Sequence, residues 1–371
     1  MTKVFFMLFF ALLLSAKEYL YIHIPSDLPS QKVATSFGKK LLSLIENSQN
    51  EICFAIYGLR GQNEILEALV NAQKRGVKIK GVVDSDSHDK NYYSDTHKLY
   101  SHFKIVSDHK SYIMHNKFFI FDGKILWSGS SNISDTGTGG YNANSSMVIE
   151  DKKIAAIYLD EFYQMYDGKF GIWKEEHSFE NIKTDESVVS IYFSPKSKTY
   201  DKTIKNLVKN AKEYIYIPIF YLTHKELSSE LINARKRGVD IKIILDASAA
   251  RNRYSTHKLL RENGIMVKVE NFGGKMHAKS MIVDDLYIVS GSMNFTKAGN
   301  EKNDENTIVV RNSTLAKQYK NYFLALWNLI PNKYLHKDPN PESLESLNSC
   351  IDGIDNDFDG KTDRNDELCK Q

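Results

Sequence analysis

No stretch of this 371-residue chain is apolar over the roughly 20 residues that a membrane-crossing helix needs. The longest candidate near the start, Val4–Leu14, follows Lys3 and ends in Ser15 and Ala16, so it reads as a secretory signal cut after Ala16. That predicts a secreted or periplasmic protein, or a membrane-associated one if the segment is retained, and no cysteine follows to accept a lipid. Cysteines are few. Cys53, inside the apolar run Ile52–Tyr57, reads as a small buried hydrophobe, while Cys350 and Cys369 bracket an acidic C-terminus and are expected to pair, which suits an oxidising compartment. The body of the chain also lacks metal-ligand spacing, so no catalytic metal is expected. Apolar and charged fractions of 42% and 26% exclude a mostly disordered or polytopic membrane chain.

The net charge of +3 hides a division. From Asp338 onward ten acidic residues face Lys361, Arg364 and Lys370, giving −7, so the rest carries about +10. A basic body suits a polyanionic partner, either nucleic acid or an anionic membrane surface.

What the chain does have is an internal duplication. Lys74-Arg75-Gly76-Val77 recurs as Lys236-Arg237-Gly238-Val239, a shift of 162 positions, and the same shift carries Asp84 to Asp246, His115 to His277, Lys117 to Lys279, Asp122 to Asp284, Gly129 to Gly291 and Asn132 to Asn294. Each copy alternates strand and helix. In the first, Glu51–Tyr57 reads as a strand, Glu64–Lys74 as a helix with Ile65, Leu66, Ala68, Leu69 and Ala72 on one face, and Val77–Asp84 as a strand. Tyr214–Phe220, Glu226–Lys236 and Val239–Asp246 repeat the pattern. The expectation is an α/β fold of two tandem repeats, each a mixed sheet flanked by helices, packed as a pseudo-two-fold dimer within a monomer. The corresponding boundaries are 1–16 (signal), 17–172 (first repeat), 173–186 (connector), 187–330 (second repeat), 331–349 (linker) and 350–371 (acidic tail).

The chemistry sits in two matching segments. In Met114-His115-Asn116-Lys117-Phe118-Phe119-Ile120-Phe121-Asp122 the strand pattern projects His115 and Lys117 from one face, and His277 and Lys279 stand in the same relation. Downstream, Ser128-Gly129-Ser130-Ser131-Asn132 and Ser290-Gly291-Ser292-Met293-Asn294 supply hydroxyl, amide and backbone donors. If the halves meet face to face, two ammonium groups and two carboxamides can clamp a phosphate while one imidazole attacks phosphorus and the other protonates the leaving oxygen. Histidine, with an unperturbed pKa of about 6.5, can supply both states near neutral pH.

His-x-Lys, four residues, then Asp, twice, each followed by Gly-Ser-x-Asn, resembles the phospholipase D superfamily over roughly residues 20–330. The resemblance implies a phosphodiesterase acting through a covalent phosphohistidine, with His115 as nucleophile, His277 as general acid, and Lys117, Lys279, Asn132, Asn294, Ser130 and Ser292 on the phosphate. Asp122 and Asp284 complete the motifs, but strand alternation puts them on the opposite face, where they would buttress the fold. The second copy continues through Asn294–Asn300 and Asp304-Glu305-Asn306, which is similar to the small bacterial nuclease branch, and this assigns Glu305 the orienting of its own repeat's histidine, with Asn144 in the equivalent place of the first copy. His97 and His257, each in Thr-His-Lys-Leu, read as members of surface helices without a catalytic part.

In the tail, Asp355, Asp357, Asp359, Gly360, Asp363 and Asp366 fall at positions 1, 3, 5, 6, 9 and 12 of a calcium loop, which resembles a disulfide-bracketed repeat of the thrombospondin type-3 kind. Any calcium there is expected to be structural. Phospholipid is the first expected substrate, with nucleic acid as the alternative; a phosphatidyl transferase or a non-catalytic anion-binding protein are the remaining readings.

Overall fold

The computed structural model describes residues 17–25, 28–87, 92–109, 112–176 and 178–370; the expected signal at 1–16 lies outside them. Among the described residues no helix is long and apolar enough to cross a membrane.

The first half is one mixed sheet. From edge to edge its strands are Lys17–His23, Asn144–Glu150, Ile125–Gly129, Phe118–Phe121, Glu51–Ile56, Lys78–Val83 and Lys104–Ser107. The last three run parallel and the others pair antiparallel. The strand Glu51–Ile56 is buried on both faces, which its unbroken apolar run requires. The second half repeats the order as Val188–Ser194, Glu305–Arg311, Tyr287–Gly291, Met281–Val283, Tyr214–Ile219, Asp240–Leu245 and Met266–Val269. It adds one edge strand, Ser178–Lys183, that pairs with Val188–Ser194. The segment expected to be a plain connector therefore forms most of a hairpin and extends the second sheet.

Helix Asn63–Lys74 buries the five predicted apolar residues, and Lys225–Lys236 is its counterpart. Each is followed by a glycine, Gly76 and Gly238, at φ +96°, the left-handed geometry that ends a helix at least cost without a Cβ.

Three apolar cores result. One lies under the outer helices of each half, and the largest is shared. Into it helix Lys152–Tyr166 sends Ile154, Tyr158 and Phe162, helix Ser313–Leu329 sends Tyr319, Phe323 and Leu326, and both sheets contribute inner-face residues such as Phe118, Met147, Ile282 and Ile308. The repeats are thus halves of one core, not separate beads.

That shared core encloses charge. Lys174 is 1% exposed at its side chain; its Nζ donates to Glu161, to Asp304 Oδ1 at 2.7 Å and to the Ser194 carbonyl at 3.2 Å. Burial pushes both carboxyls up, while the paired anions hold the Lys174 ammonium above its ordinary value despite burial. The group bridges the halves, since Glu161 belongs to the first repeat and Asp304 to the second. Removing the cation would leave two buried carboxylates unpaired. Lys174→Ala is expected to cost about 3–5 kcal/mol in urea unfolding. A loss below about 1 kcal/mol would show the triad to be worth no more than a surface pair.

The segment expected to be a linker, 331–349, is packed rather than loose. Tyr334 and Glu342 are fully buried and Leu347 pairs with Asn271 through its backbone. The acidic residues at 350–371 are closed by the Cys350–Cys369 disulfide, and Cys53 is buried and free, both as expected.

Candidate active site

Both histidines themselves take part in backbone links between the repeats. The His115 amide donates to the Asp304 carbonyl at 2.8 Å, and the Asp304 amide donates to Ile113 at 3.0 Å. In the mirror position Ala143 donates to Lys275 at 2.8 Å, and His277 donates back to Ala143 at 2.9 Å. The residue before each histidine is held from behind by a buried carboxylate. Asp84 Oδ2 accepts from Met114 N–H at 2.7 Å, and Asp246 Oδ2 from Met276 N–H at 3.0 Å. Burial and the neighbouring Asp108 carboxylate push Asp84 up to about 7. The sequence offered a signal for these two aspartates, their place in the 162-residue register, but no reason to tie them to the site.

These contacts turn His115 and His277 into one cavity of about 630 Å³, which Tyr57, Tyr93, Asn132, Phe220 and Lys275 also line. The same cavity thus receives an imidazole from each repeat. Lys117 and Lys279, 0% and 1% exposed, lie beneath, each donating one proton to the carbonyl of its own motif's histidine at 2.6 and 2.7 Å.

The partners of the two rings differ. Glu305 Oε2 accepts from His115 Nδ1 at 2.9 Å, across the repeat boundary. His277 Nδ1 faces Asn144 Oδ1 at 3.2 Å, again across the boundary. The expectation that Glu305 orients the histidine of its own repeat is therefore corrected: the stitch crosses the chain over, so each orienting side chain serves the other repeat's ring. Ser130 and Ser292 were expected on the phosphate. Both are fully buried and donate instead to Asn144 Oδ1 at 2.8 Å and Glu305 Oε2 at 2.6 Å, fixing the orienting groups. Asn132 lines the cavity and donates to Tyr93 Oη at 2.5 Å; Asn294, outside the lining, accepts from the Tyr221 amide at 3.3 Å. Asp122 and Asp284, each at φ 53°, point away and cap the start of a strand, accepting backbone N–H groups of residues 49–51 and 212–214. They buttress the fold and are not cavity groups. His97 is exposed as expected, whereas His257 is buried against Asp338 of the 331–349 segment at 3.0 Å.

Burial outweighs the carboxylates around the site. Burial holds the His115 ring down at about 4 and Lys117 at about 7, with the Glu305 carboxylate opposing both. Burial also holds His277 and Lys279 well below their ordinary values, helped by the surrounding ammonium groups. Cations kept partly discharged by burial regain their charge when an anion enters.

The acidic tail brings together Glu342, Asp355 and Asp357, and also Asp357, Asp359 and Asp366, with ligand oxygens of each group within 4.8 Å of one another. An all-carboxylate set suits calcium. Asp363, an expected ligand, instead accepts backbone N–H groups of Asp352 and Gly353 at 3.1 Å. Glu342, buried beneath the loop, went unrecognised because it lies outside the twelve-residue pattern.

Comparison with known proteins follows the same lines. The family described as cardiolipin synthase, PLD-like domain, matches residues 41–166 and again 204–327. A phospholipase D from Rickettsia conorii is 34% identical over 133 residues, 36% of this chain and 66% of the relative. A mitochondrial cardiolipin hydrolase from Danio rerio is 28% identical over 41% of this chain and 64% of its own length. The chain spans about two thirds of these curated relatives. The solved phosphatidylserine synthase of Haemophilus influenzae superposes with a TM-score of 0.62 at 14% identity, covering 82% of this chain and 88% of that one, a likeness of fold.

In NMR titration of the free protein, the His115 ring is expected to change charge near pH 4, and inorganic phosphate should bring the His277 ring toward neutral-range titration. The unfolded chain binds more protons between that value and about 6.5, so stability should fall as pH drops through this window. A His115 ring that is cationic at pH 7 without ligand would contradict the electrostatics.

Proposed function

The chain belongs to the phospholipase D superfamily of phosphodiesterases, and from that premise we propose that it is an exported enzyme that hydrolyses phospholipid head-group esters through a covalent phosphohistidine. The observation that carries the reading is the single cavity of about 630 Å³ into which both motif histidines open, one backed by a carboxylate and the other by a carboxamide. Export is supported by the Val4–Leu14 segment and by the Cys350–Cys369 disulfide, which belongs to an oxidising compartment.

His115 is the nucleophile because its Nδ1–H is held by Glu305, which raises the electron density at Nε2 and offsets the positive charge the ring gains on bonding phosphorus. His277, without a carboxylate, parts with its proton more readily once the phosphate has charged it, and Nε2–H protonates the leaving alcohol oxygen. Neutral His277 then takes a proton from water, whose oxygen attacks phosphorus and frees His115. Lys117 and Lys279 neutralise the non-bridging oxygens, with Asn132 beside them. An alcohol in place of water gives transfer by the same residues.

A second reading, cleavage of nucleic acid, is favoured by the aromatic lining: Tyr57, Tyr92, Tyr93 and Phe220, with the Arg60 guanidinium 3.6 Å from the Tyr92 ring centre, offer stacking faces for bases.

With purified protein in EDTA and labelled phosphatidylglycerol or single-stranded DNA, turnover of the lipid is expected. His115→Ala should abolish it. His277→Ala should cost roughly 10²–10⁴-fold, less for an ester with a nitrophenol leaving group, and quenching in detergent at alkaline pH, where a phosphorus–imidazole bond survives, should trap phosphoenzyme in this variant but not in His115→Ala. A near-wild-type rate in His115→Ala, or phosphoenzyme surviving there, removes it as nucleophile; failure of both substrates would leave an anion-binding protein.

The tail is read as holding structural calcium at Asp357, which is shared by two carboxylate groups, Glu342 and Asp355 in one and Asp359 and Asp366 in the other. The ion would offset the mutual repulsion of these carboxylates and tie the loop to the body. At roughly 100 times its Kd, calcium should stabilise the protein by about 2.7 kcal/mol, seen as a Tm raised by several degrees over EGTA, and Asp357→Asn should remove the increment. An unchanged Tm at millimolar calcium argues for a plain acidic tail.

A further inference from the structure

The acidic tail does not hang from the body; it forms part of the catalytic cavity. Gly353, Ile354, Asp355, Asn356 and Phe358 line the same space as His115 and His277. It is anchored to both repeats. Tyr141 Oη donates to Asp352 Oδ2 at 2.6 Å from the first, while in the second Arg251 pairs with Asp357 at 2.5 Å and Lys275 Nζ stands 4.3 Å from the Phe358 ring centre. Upstream, the Leu347 amide donates to the Asn271 carbonyl at 2.9 Å. Gly273 makes room for this approach: a Cβ there would stand 1.9 Å from Tyr141 Oη and 2.4 Å from the Leu347 carbonyl oxygen. Buried Glu342 accepts the Asn356 and Asp363 amides, and the disulfide closes the loop, so the wall is held in place on its own side as well.

We propose that this tail is the substrate-selecting wall of the site, which admits a phosphodiester presented end-on by a phospholipid and turns away a polynucleotide strand. The proposal rests on the catalytic reading of the cavity given above. A strand cleaved internally must leave the scissile phosphate in two directions and carries a further negative charge at every nucleotide. On one side the cavity is walled by Gly353–Asn356 and Phe358, part of a segment with ten acidic residues against three basic ones from Asp338 onward, and this wall would stand in the way of one of those directions. A lipid needs a single entrance, head group inward and glyceride outward. The entrance has a surface suited to that end of the molecule: the Phe358 ring is 68% exposed at the rim beside the Lys275 ammonium, an apolar face next to a cation. Phe358 is thereby a specificity residue rather than a catalytic one.

The test compares the full-length protein with Phe358→Ala and Phe358→Trp on bis(p-nitrophenyl) phosphate, phosphatidylglycerol in mixed micelles and a short single-stranded oligonucleotide, reading ratios of kcat/KM. Because the ring is largely exposed, neither variant should disturb folding. In Phe358→Ala the oligonucleotide-to-small-ester ratio is expected to rise roughly tenfold and the lipid-to-small-ester ratio to fall, with Phe358→Trp moving the first ratio the other way. The proposal is overturned if all three substrates change by a common factor in both variants, or if the wild-type protein already prefers the oligonucleotide. A wild-type protein that turns over none of the three defeats the catalytic reading itself, and the selecting wall with it.

Discussion

Two pairs of backbone hydrogen bonds, His115–Asp304–Ile113 and Ala143–Lys275 with His277–Ala143, govern the rest of this molecule. They join the repeats at the residues that carry the imidazoles, so closing the interface and assembling the site are one event. Because strand side chains alternate, a slip of one residue in either pair would turn a histidine out of the cavity. The same stitch brings Glu305 behind the other repeat's ring, and Ser292 keeps the carboxylate there. Tyr158 and Tyr319 extend the joint inward, the first receiving Asn306 Nδ2 at 3.1 Å and the second donating to Ser145 Oγ at 2.8 Å.

Fixing these groups in a shared core has an electrostatic cost. Two lysines and two histidines are packed around one space, with Glu305 against a single ring and Asp84 and Asp246 behind the motifs, and burial leaves them with less charge than they would carry in water. Such a site favours the folded chain less than apolar packing would, and it favours an entering phosphate more. The Lys174 triad shows the alternative arrangement of buried charge: there the cation has both anions in contact and no ligand is needed.

The two halves are alike in backbone and unlike in chemistry. One ring has a carboxylate partner and the other a carboxamide, which gives the two imidazoles different surroundings without breaking the pseudo-symmetry of the fold. The tail breaks it openly, covering one rim of the cavity and meeting both repeats through Tyr141 and Arg251.

Periodicity, caps and the constant 162-residue shift were enough to read the strand and helix order, the doubled sheet and the two motif histidines that meet at one cavity, since these depend on local spacing. The burial of helix Asn63–Lys74 and the left-handed Gly76 were legible for the same reason. Which partner stands behind which histidine was not: Glu305 is 190 positions from His115, and no local pattern records a pairing across the pseudo-axis. Nor could spacing show that Ser130 and Ser292 face the orienting side chains, that 178–183 joins a sheet, or that a Pro- and Ser-containing stretch would pack and carry an acidic loop to the catalytic mouth. Those outcomes were decided by the closing of two sheets over one core, which makes neighbours of residues that share no turn, strand or period.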